Sequence, residues 1–377
     1  MSDEQIPMFE IDHAESDIDT VTDSIQRGGY WAKGPYIETF EEKIKSYLGV
    51  DHALVVNSGT TALVAALKGL RVEEGDEVIV PSFTFIATAN AVKLAGAKPV
   101  FADIERQTYG LDPAAVENQI TDSTAAILPV HCYGGPCKIH KLRQIANEYN
   151  IALLEDAAEV FGAERDDNLL GTVGDAAALS FCQNKIFSTG EGGAVVTDNE
   201  EIARRVKLYR SHGRTTDDYF DSASSGQYTT LGTNIRMSDM TAALGCSQLD
   251  RVDELISGRQ QVANQYHTKF AHVDGVTPHK PPEGGTHVYQ LYTVELAPDI
   301  DRGHVIETLA DHDISSKVYW DPPAHQTAHY SERNSIPTLS ITDDIASRVL
   351  SLPMHPNLSE REVERVVTGV ETAIESQ

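Results

Sequence analysis

Three short stretches carry side chains whose types and spacing could do chemistry. SFCQNKIFSTGEGGAVVTD, residues 180–198, sets Lys185 between an apolar run and a glycine-rich turn. LLEDAAE ends an apolar run on Asp156, and NSGTTAL brings Ser58, Gly59, Thr60 and Thr61 just after another. A lysine beside glycines suggests a phosphate loop, but a P-loop carries its lysine after the glycines, and here they follow it. A dinucleotide fingerprint needs a helix after the glycines, whereas GEGG runs into AVVTD, which reads as a strand. What remains is a lysine just beyond a buried strand. Partial desolvation would free its amine as a nucleophile; the plainer alternative is a solvated charge.

The other two stretches have similar pairs of readings. A carboxylate at the end of a buried strand needs a partner, because burying an unpaired charge is costly. A protonated ring nitrogen of a cofactor would serve for Asp156; so would duty as a helix N-cap. At Ser58–Thr61, free backbone N–H groups and the helix dipole favour an anion, although Ser and Thr are common caps in any case. Taken together, the stretches hold the parts of a pyridoxal phosphate site: a phosphate cradle, an acid for the pyridinium nitrogen and a Schiff-base lysine. Phe83 and Phe85, in PSFTF after the run EVIVP, offer a ring to stack on the pyridine, or else pack in the core.

Such parts need a frame. Strand candidates are Ala53–Val56, Glu77–Pro81, Lys98–Asp103, Ala125–Val130, Ile151–Asp156, Ala177–Phe181 and Ala194–Asp198. The first five are nearly all apolar, which marks strands buried on both faces. Helical stretches such as TTALVAALKGL and KIHKLRQIANEYN stand between them. The expected fold class is α/β: a mostly parallel seven-stranded sheet with helices on both faces, ligands binding at the carboxyl ends of its strands. After about residue 250 the texture changes. A long helical stretch, a Pro/Gly-rich segment, the strand-like VYQLYTVEL and two further helices predict a smaller C-terminal α+β domain. The division expected is residues 1–250 and 251–377.

Composition limits what such a fold could do. A net charge of −27 repels nucleic acids and anionic membranes. It suits a chain adapted to high salt, the alternative being an ordinary acidic protein. The four scattered cysteines suit a reducing compartment. HCYGGPCKIH groups His131, Cys132, Cys137 and His140, but without zinc-knuckle spacing or a second ligand pair, so no metal is expected. The N-terminal stretch has no secretory pattern and no run reaches membrane-spanning length. A soluble, cytoplasmic protein is the expectation.

At these residues the chain resembles the DegT/DnrJ/EryC1/StrS family, sugar aminotransferases of the aspartate aminotransferase-like fold type I. The resemblance runs in order through GGYWAKGPYIETFEEKIKSYLG, NSGTTAL, PSFTFIATANAV, EDAAEVFGA, SFCQNKIFSTGEGGAVVTD, LGTNIRMSDMTAALGCSQL and SLPMHPNLSEREVERVV. It implies that Lys185 binds pyridoxal 5'-phosphate and shuttles the proton, while Asp156 pairs with the pyridinium nitrogen. It implies that Thr60, Thr61 and Ser180 hold the phosphate with the Gly59 backbone close by, and that Phe85 stacks on the ring. Asn234 would reach the phosphate in the partner subunit of a homodimer with shared sites. Glu159 stands where the family more often has glutamine or histidine, and a carboxylate donates no hydrogen bond unless protonated; it is expected as a cofactor contact. Relatives with histidine in place of the lysine dehydrate their substrates, whereas this chain keeps Lys185.

The reaction expected from the resemblance is a ping-pong transamination from an amino acid, glutamate, to a nucleotide-linked keto sugar, with NIRMSDMTAALGCSQL pointing to 4-keto sugars. Arg214 and Arg236 are candidates for meeting the anionic nucleotide. The alternatives are another fold type I enzyme, such as a lyase or cyclitol aminotransferase, and a non-catalytic homologue that keeps only the fold.

Overall fold

The computed structural model describes residues 5–216, 226–331 and 338–377. All seven apolar runs form strands of one sheet: β1 His52–Val56, β2 Glu77–Pro81, β3 Lys98–Ala102, β4 Thr124–Ile127, β5 Ala152–Asp156, β6 Ala176–Ser180 and β7 Gly193–Thr197. Their order is β1-β7-β6-β5-β4-β2-β3. Strands β2 to β6 are parallel to one another, while β7 runs antiparallel to both β6 and β1. The run at 125–130 leaves the regular ladder after Ile127. Pro129 cannot donate, but its carbonyl still accepts from Asp156 N at 2.9 Å.

Side-chain alternation explains why these runs lack a polar face. Val55, Ile79, Ile127, Leu153, Ala177, Leu179 and Val196 enter one apolar core, under helices α2 (Pro35–Leu48), α5 (Ile139–Tyr149) and α7 (Asp239–Asp250). Their neighbours Leu54, Val56, Val78, Val80, Ala126, Leu154, Ala178 and Val195 enter a second core on the opposite face, under α3 (Gly59–Gly69), α4 (Ala87–Leu94) and α6 (Glu200–Tyr209). Helix α1 (Glu15–Gln26) lies outside α7. A sheet buried on both faces needs apolar residues at every position.

A separate three-stranded antiparallel sheet, ordered β8 (Val276–Pro278), β9 (Tyr292–Leu296) and β10 (Val349–Leu352), has its own core with α9 (Arg302–Asp311) and α10 (Glu360–Glu375). Helix α8, Val252–Phe270, serves both: Val252, Leu255 and Ile256 pack into the first core, and Val262, Tyr266 and Phe270 into the third. A fourth cluster joins Phe83, Tyr109 and Tyr133 from the large sheet's loops to Leu291, Trp320, Ile345 and Val349. The Tyr133 ring stacks on Trp320 with centroids 5.0 Å apart. Among the described residues no helix is long and apolar enough to cross a membrane.

Candidate active site

Each stretch singled out in the sequence leaves a strand at the carboxyl edge of the sheet. After β1 the chain turns into α3 with Ser58 as N-cap, its Oγ accepting from Thr61 N at 3.2 Å. The Thr61 hydroxyl donates to Asn57 Oδ1 at 2.7 Å. Gly59 faces Ser180 at the end of β6. A Cβ on Gly59 would lie 2.7 Å from the Ser180 Cβ, so only glycine lets these two strand ends come this close. The result is a backbone cradle at a helix N-terminus, with hydroxyls at Ser58, Thr60, Thr61 and Ser180 around it.

Asp156 ends β5 and is 5% exposed. Its Oδ2 accepts from Thr88 Oγ1 at 2.8 Å and its Oδ1 from Ala158 N at 3.2 Å. Burial pushes its pKa above the usual carboxylate range; the Thr88 and Ala158 hydrogen bonds and the Lys185 charge oppose that push. Thr88 did not stand out in the sequence. It occupies the first turn of α4, the helix that follows Phe85, and the offset of three in PSFTFIAT was the available signal. Phe83 is buried in the aromatic cluster, so of the two ring candidates it is the packing one. Phe85 is 59% exposed, an apolar ring left open just beyond the strand.

Lys185 lies in a loop fixed at both ends. Phe181 N donates to Gly192 O, Thr189 N to Phe181 O, and Lys185 N to Cys182 O, each at 2.9 Å. Phe181 and Phe187, with ring centroids 5.0 Å apart, anchor the loop in the first core, where Phe40 meets both. The turn GEGG, with Gly190 at φ +81°, returns the chain into β7. The Lys185 amine then reaches Glu159 Oε1 at 3.2 Å, both side chains mostly buried. Glu159 Oε2 accepts from Tyr133 N at 2.9 Å.

Asn234 is exposed on a strap whose Ile235 O accepts from Asn57 N at 2.9 Å, beside the end of β1. Among the described residues none of its hydrogen bonds reaches Gly59, Ser180, Asp156 or Lys185. Arg236, on the same strap, donates to Ser211 Oγ at 3.0 Å. Burial and then the charges of Arg214 and Arg210 lower its pKa. Arg236 and Met237 of the strap, with Arg210 and Arg214, line the wall of a cleft of about 650 Å³. In HCYGGPCKIH, the His131 ring nitrogens are both engaged: one with Glu155 Oε2 at 2.9 Å, the other accepting from Cys137 N at 3.2 Å. Among the described residues no group of three or more His, Cys, Asp or Glu could hold a metal ion.

These features fit pyridoxal phosphate chemically. The glycine-gated cradle suits a phosphate, and the buried Asp156 carboxylate has acceptor capacity left for a cationic ring N–H. Lys185 supplies a primary amine at the same edge of the sheet.

The comparisons agree with the geometry. Residues 12–371 match the DegT/DnrJ/EryC1/StrS aminotransferase family profile, and the chain belongs to that family. The GDP-perosamine synthase of Caulobacter vibrioides is 37% identical over 90% of this chain and 91% of that protein. The solved structure of Helicobacter pylori PseC, an aminotransferase involved in the biosynthesis of pseudoaminic acid, superposes with a TM-score of 0.93, covering 99% of this chain and 100% of that one at 28% identity. NtdA from Bacillus subtilis, with bound cofactor PMP, gives a TM-score of 0.90 at 29% identity, covering 100% of this chain and 86% of that one. The protein is a pyridoxal-phosphate-dependent aminotransferase of fold type I.

Proposed function

We propose that this aminotransferase moves an amino group from glutamate to a nucleotide-linked 4-keto sugar in amino-sugar biosynthesis. One observation carries the reading: the Lys185 amine, the buried Asp156 carboxylate and the Gly59–Ser180 cradle converge at one edge of the sheet. The sugar acceptor is supported by the similarity to a GDP-perosamine synthase.

Bound pyridoxal phosphate supplies an electron sink that stabilises negative charge at the substrate carbon. The chain's residues do the rest. Gly59, Thr60, Thr61 and Ser180 hold the phosphate, and Phe85 covers one face of the ring. Asp156, whose ionised form Thr88 and Ala158 favour against the push of burial, holds the proton on the ring nitrogen. Glu159 contributes a further polar contact. The Lys185 Nζ takes the α-proton from the amino donor and returns a proton later, as a general base and then acid. Its loop is pinned at both ends, so the amine is oriented before substrate arrives.

The same reading makes the enzyme a cytoplasmic homodimer in which Asn234 serves the partner's phosphate. The strongly exposed Leu231 and Tyr228 beside that strap, 85% and 57% exposed, support a covered surface there. Arg236 and Arg214 would meet the nucleotide's phosphates, in a chain otherwise too acidic to attract them. A division at residues 250/251 is supported by the separate core around the three-stranded sheet. Salt adaptation is supported by the net charge.

A panel of nucleotide-linked 4-keto and 3-keto sugars and inososes, offered with glutamate or glutamine, tests the assignment. Turnover is expected with a 4-keto nucleotide sugar and glutamate. Lys185→Ala is expected to lower it by about 10³-fold or more and to abolish borohydride trapping. Preference for an inosose would overturn the substrate; full turnover by Lys185→Ala would overturn the mechanism.

A further inference from the structure

Glu159 does something that glutamine or histidine at its position could not. Its two oxygens accept from two donors at once, Lys185 Nζ at 3.2 Å and Tyr133 N at 2.9 Å. An ionised carboxylate is acceptor-only, so both contacts are satisfied. A glutamine has a single acceptor oxygen, and its NH₂ would face one of the two donors.

The second contact sits at an unusual backbone position. Tyr133 is a non-glycine residue at φ +61°, followed by Gly134 at φ +110°. Residues held there carry conformational strain and persist only where surroundings fix them. Glu159 fixes the backbone N–H; the phenol donates to Tyr319 O, and the ring stacks on Trp320. The carboxylate therefore joins the lysine to the turn on which the Tyr319–Trp320 segment rests.

We propose that Glu159 is a positioning residue. Its carboxylate retains the Lys185 ammonium in the site whenever the lysine is not linked to the cofactor, and at the same time clamps the Tyr133 turn. This rests on the assignment of Lys185 as the reacting amine. The groups facing the pair are Asp156 on β5, the Cys132 thiol and Tyr133 phenol on the loop after β4, and the Tyr319 phenol. Burial raises both the thiol and the two phenols, which stay neutral at working pH. Lys185 is then the sole cation against two carboxylates in this group. Without Glu159 the amine loses the carboxylate that holds it, and the Tyr133 N–H loses its acceptor.

The test uses the holoenzyme reconstituted with pyridoxamine phosphate, the form in which the lysine is free. Brief pulses of acetic anhydride at one fixed pH, with the Lys185 peptide quantified by mass spectrometry, give its labelling rate, and hydrogen exchange reports the Tyr133 amide. Glu159→Gln is expected to raise the labelling rate about tenfold and to speed exchange at the Tyr133 amide. Glu159→Asp keeps the charge but withdraws it by one methylene, and is expected to fall between. If Glu159→Gln does not fold, Glu159→Asp against the wild type decides alone. Rates unchanged in the folded variants, whether or not melting temperature drops, would overturn the proposal. The readout does not involve the sugar. A raised labelling rate in an enzyme that aminates no keto sugar would sink the substrate assignment and leave this role standing.

Discussion

At the scale of single residues, the site depends on charges whose partners come from other elements. Asp156 was legible as a strand-end acid. Its hydrogen-bond partner Thr88 was not, because 68 residues separate them and only the sheet order brings α4 beside β5. Thr88→Val keeps the shape and removes that bond. Since burial already raises Asp156 and Thr88 opposes the rise, the loss leaves the carboxyl protonated to higher pH. The acid limb of the pH–rate profile for kcat/KM is expected to move up, by as much as about one unit, with the alkaline limb unchanged. A coincident acid limb in both enzymes would show that the bond does not tune Asp156. Tyr133 was invisible for another reason: a left-handed backbone at a non-glycine residue leaves no compositional mark before the glycine that follows it.

At the scale of elements, the strands were legible because burial on both faces leaves no polar positions to blur them. The Ser58 stretch, readable as a cap or an anion site, does carry the N-cap of α3. The direction of β7 was not legible. An apolar run reads the same either way, and the short GEGG turn was the only cue that the chain doubles back. The close approach of α3 to β6 was equally hidden, since Gly59 could have been a mere flexible cap. Gly59→Ala is expected to push Ser180 away and weaken cofactor retention at least tenfold, measured by dialysis followed by absorbance. Ser58→Ala should cost only about 1 kcal/mol of stability, because it removes a cap and leaves the cradle's shape. Equal retention in wild type and Gly59→Ala would mean that the cradle does not hold the phosphate.

At the scale of the whole molecule, buried histidines set how it answers to acid. His279 is held near 4 and His287 well below its ordinary value, both by burial first, with His279 and His267 adding repulsion on His287. His267 is also lowered to about 4, by burial first and then by the Lys280 charge. Unfolded histidine takes a proton near 6.5, so below that pH the unfolded chain binds more protons than the folded one. Stability is full above about 6.5 and is lost as pH falls towards 4. Each of the two fully buried rings contributes at most about 1.4 kcal/mol per pH unit, and His267 less. Thermal melts from pH 7.5 to 4.5 check this, and a second series in KCl reads the acidic surface. With a net charge of −27, melting temperature at pH 7.5 is expected to rise with salt. A flat KCl series would remove the case for salt adaptation, and a flat acid series would mean the histidines already titrate freely.

The pairing of β1 also sets an order in time. Its backbone partner is β7, with His52 opposite Thr197, so the strand that leads into Ser58–Thr61 has nothing to pair with until the chain has been made past residue 197. At ordinary elongation rates that wait is on the order of ten seconds. The apolar run HALVV must pass this interval either bound to a chaperone or sheltered under α2, which packs on β1. The loop that carries Lys185 is already out by then, and the phosphate cradle closes last. A nascent chain therefore becomes able to hold its cofactor only when the sheet is complete, and cofactor capture during synthesis would report that the large sheet has finished folding.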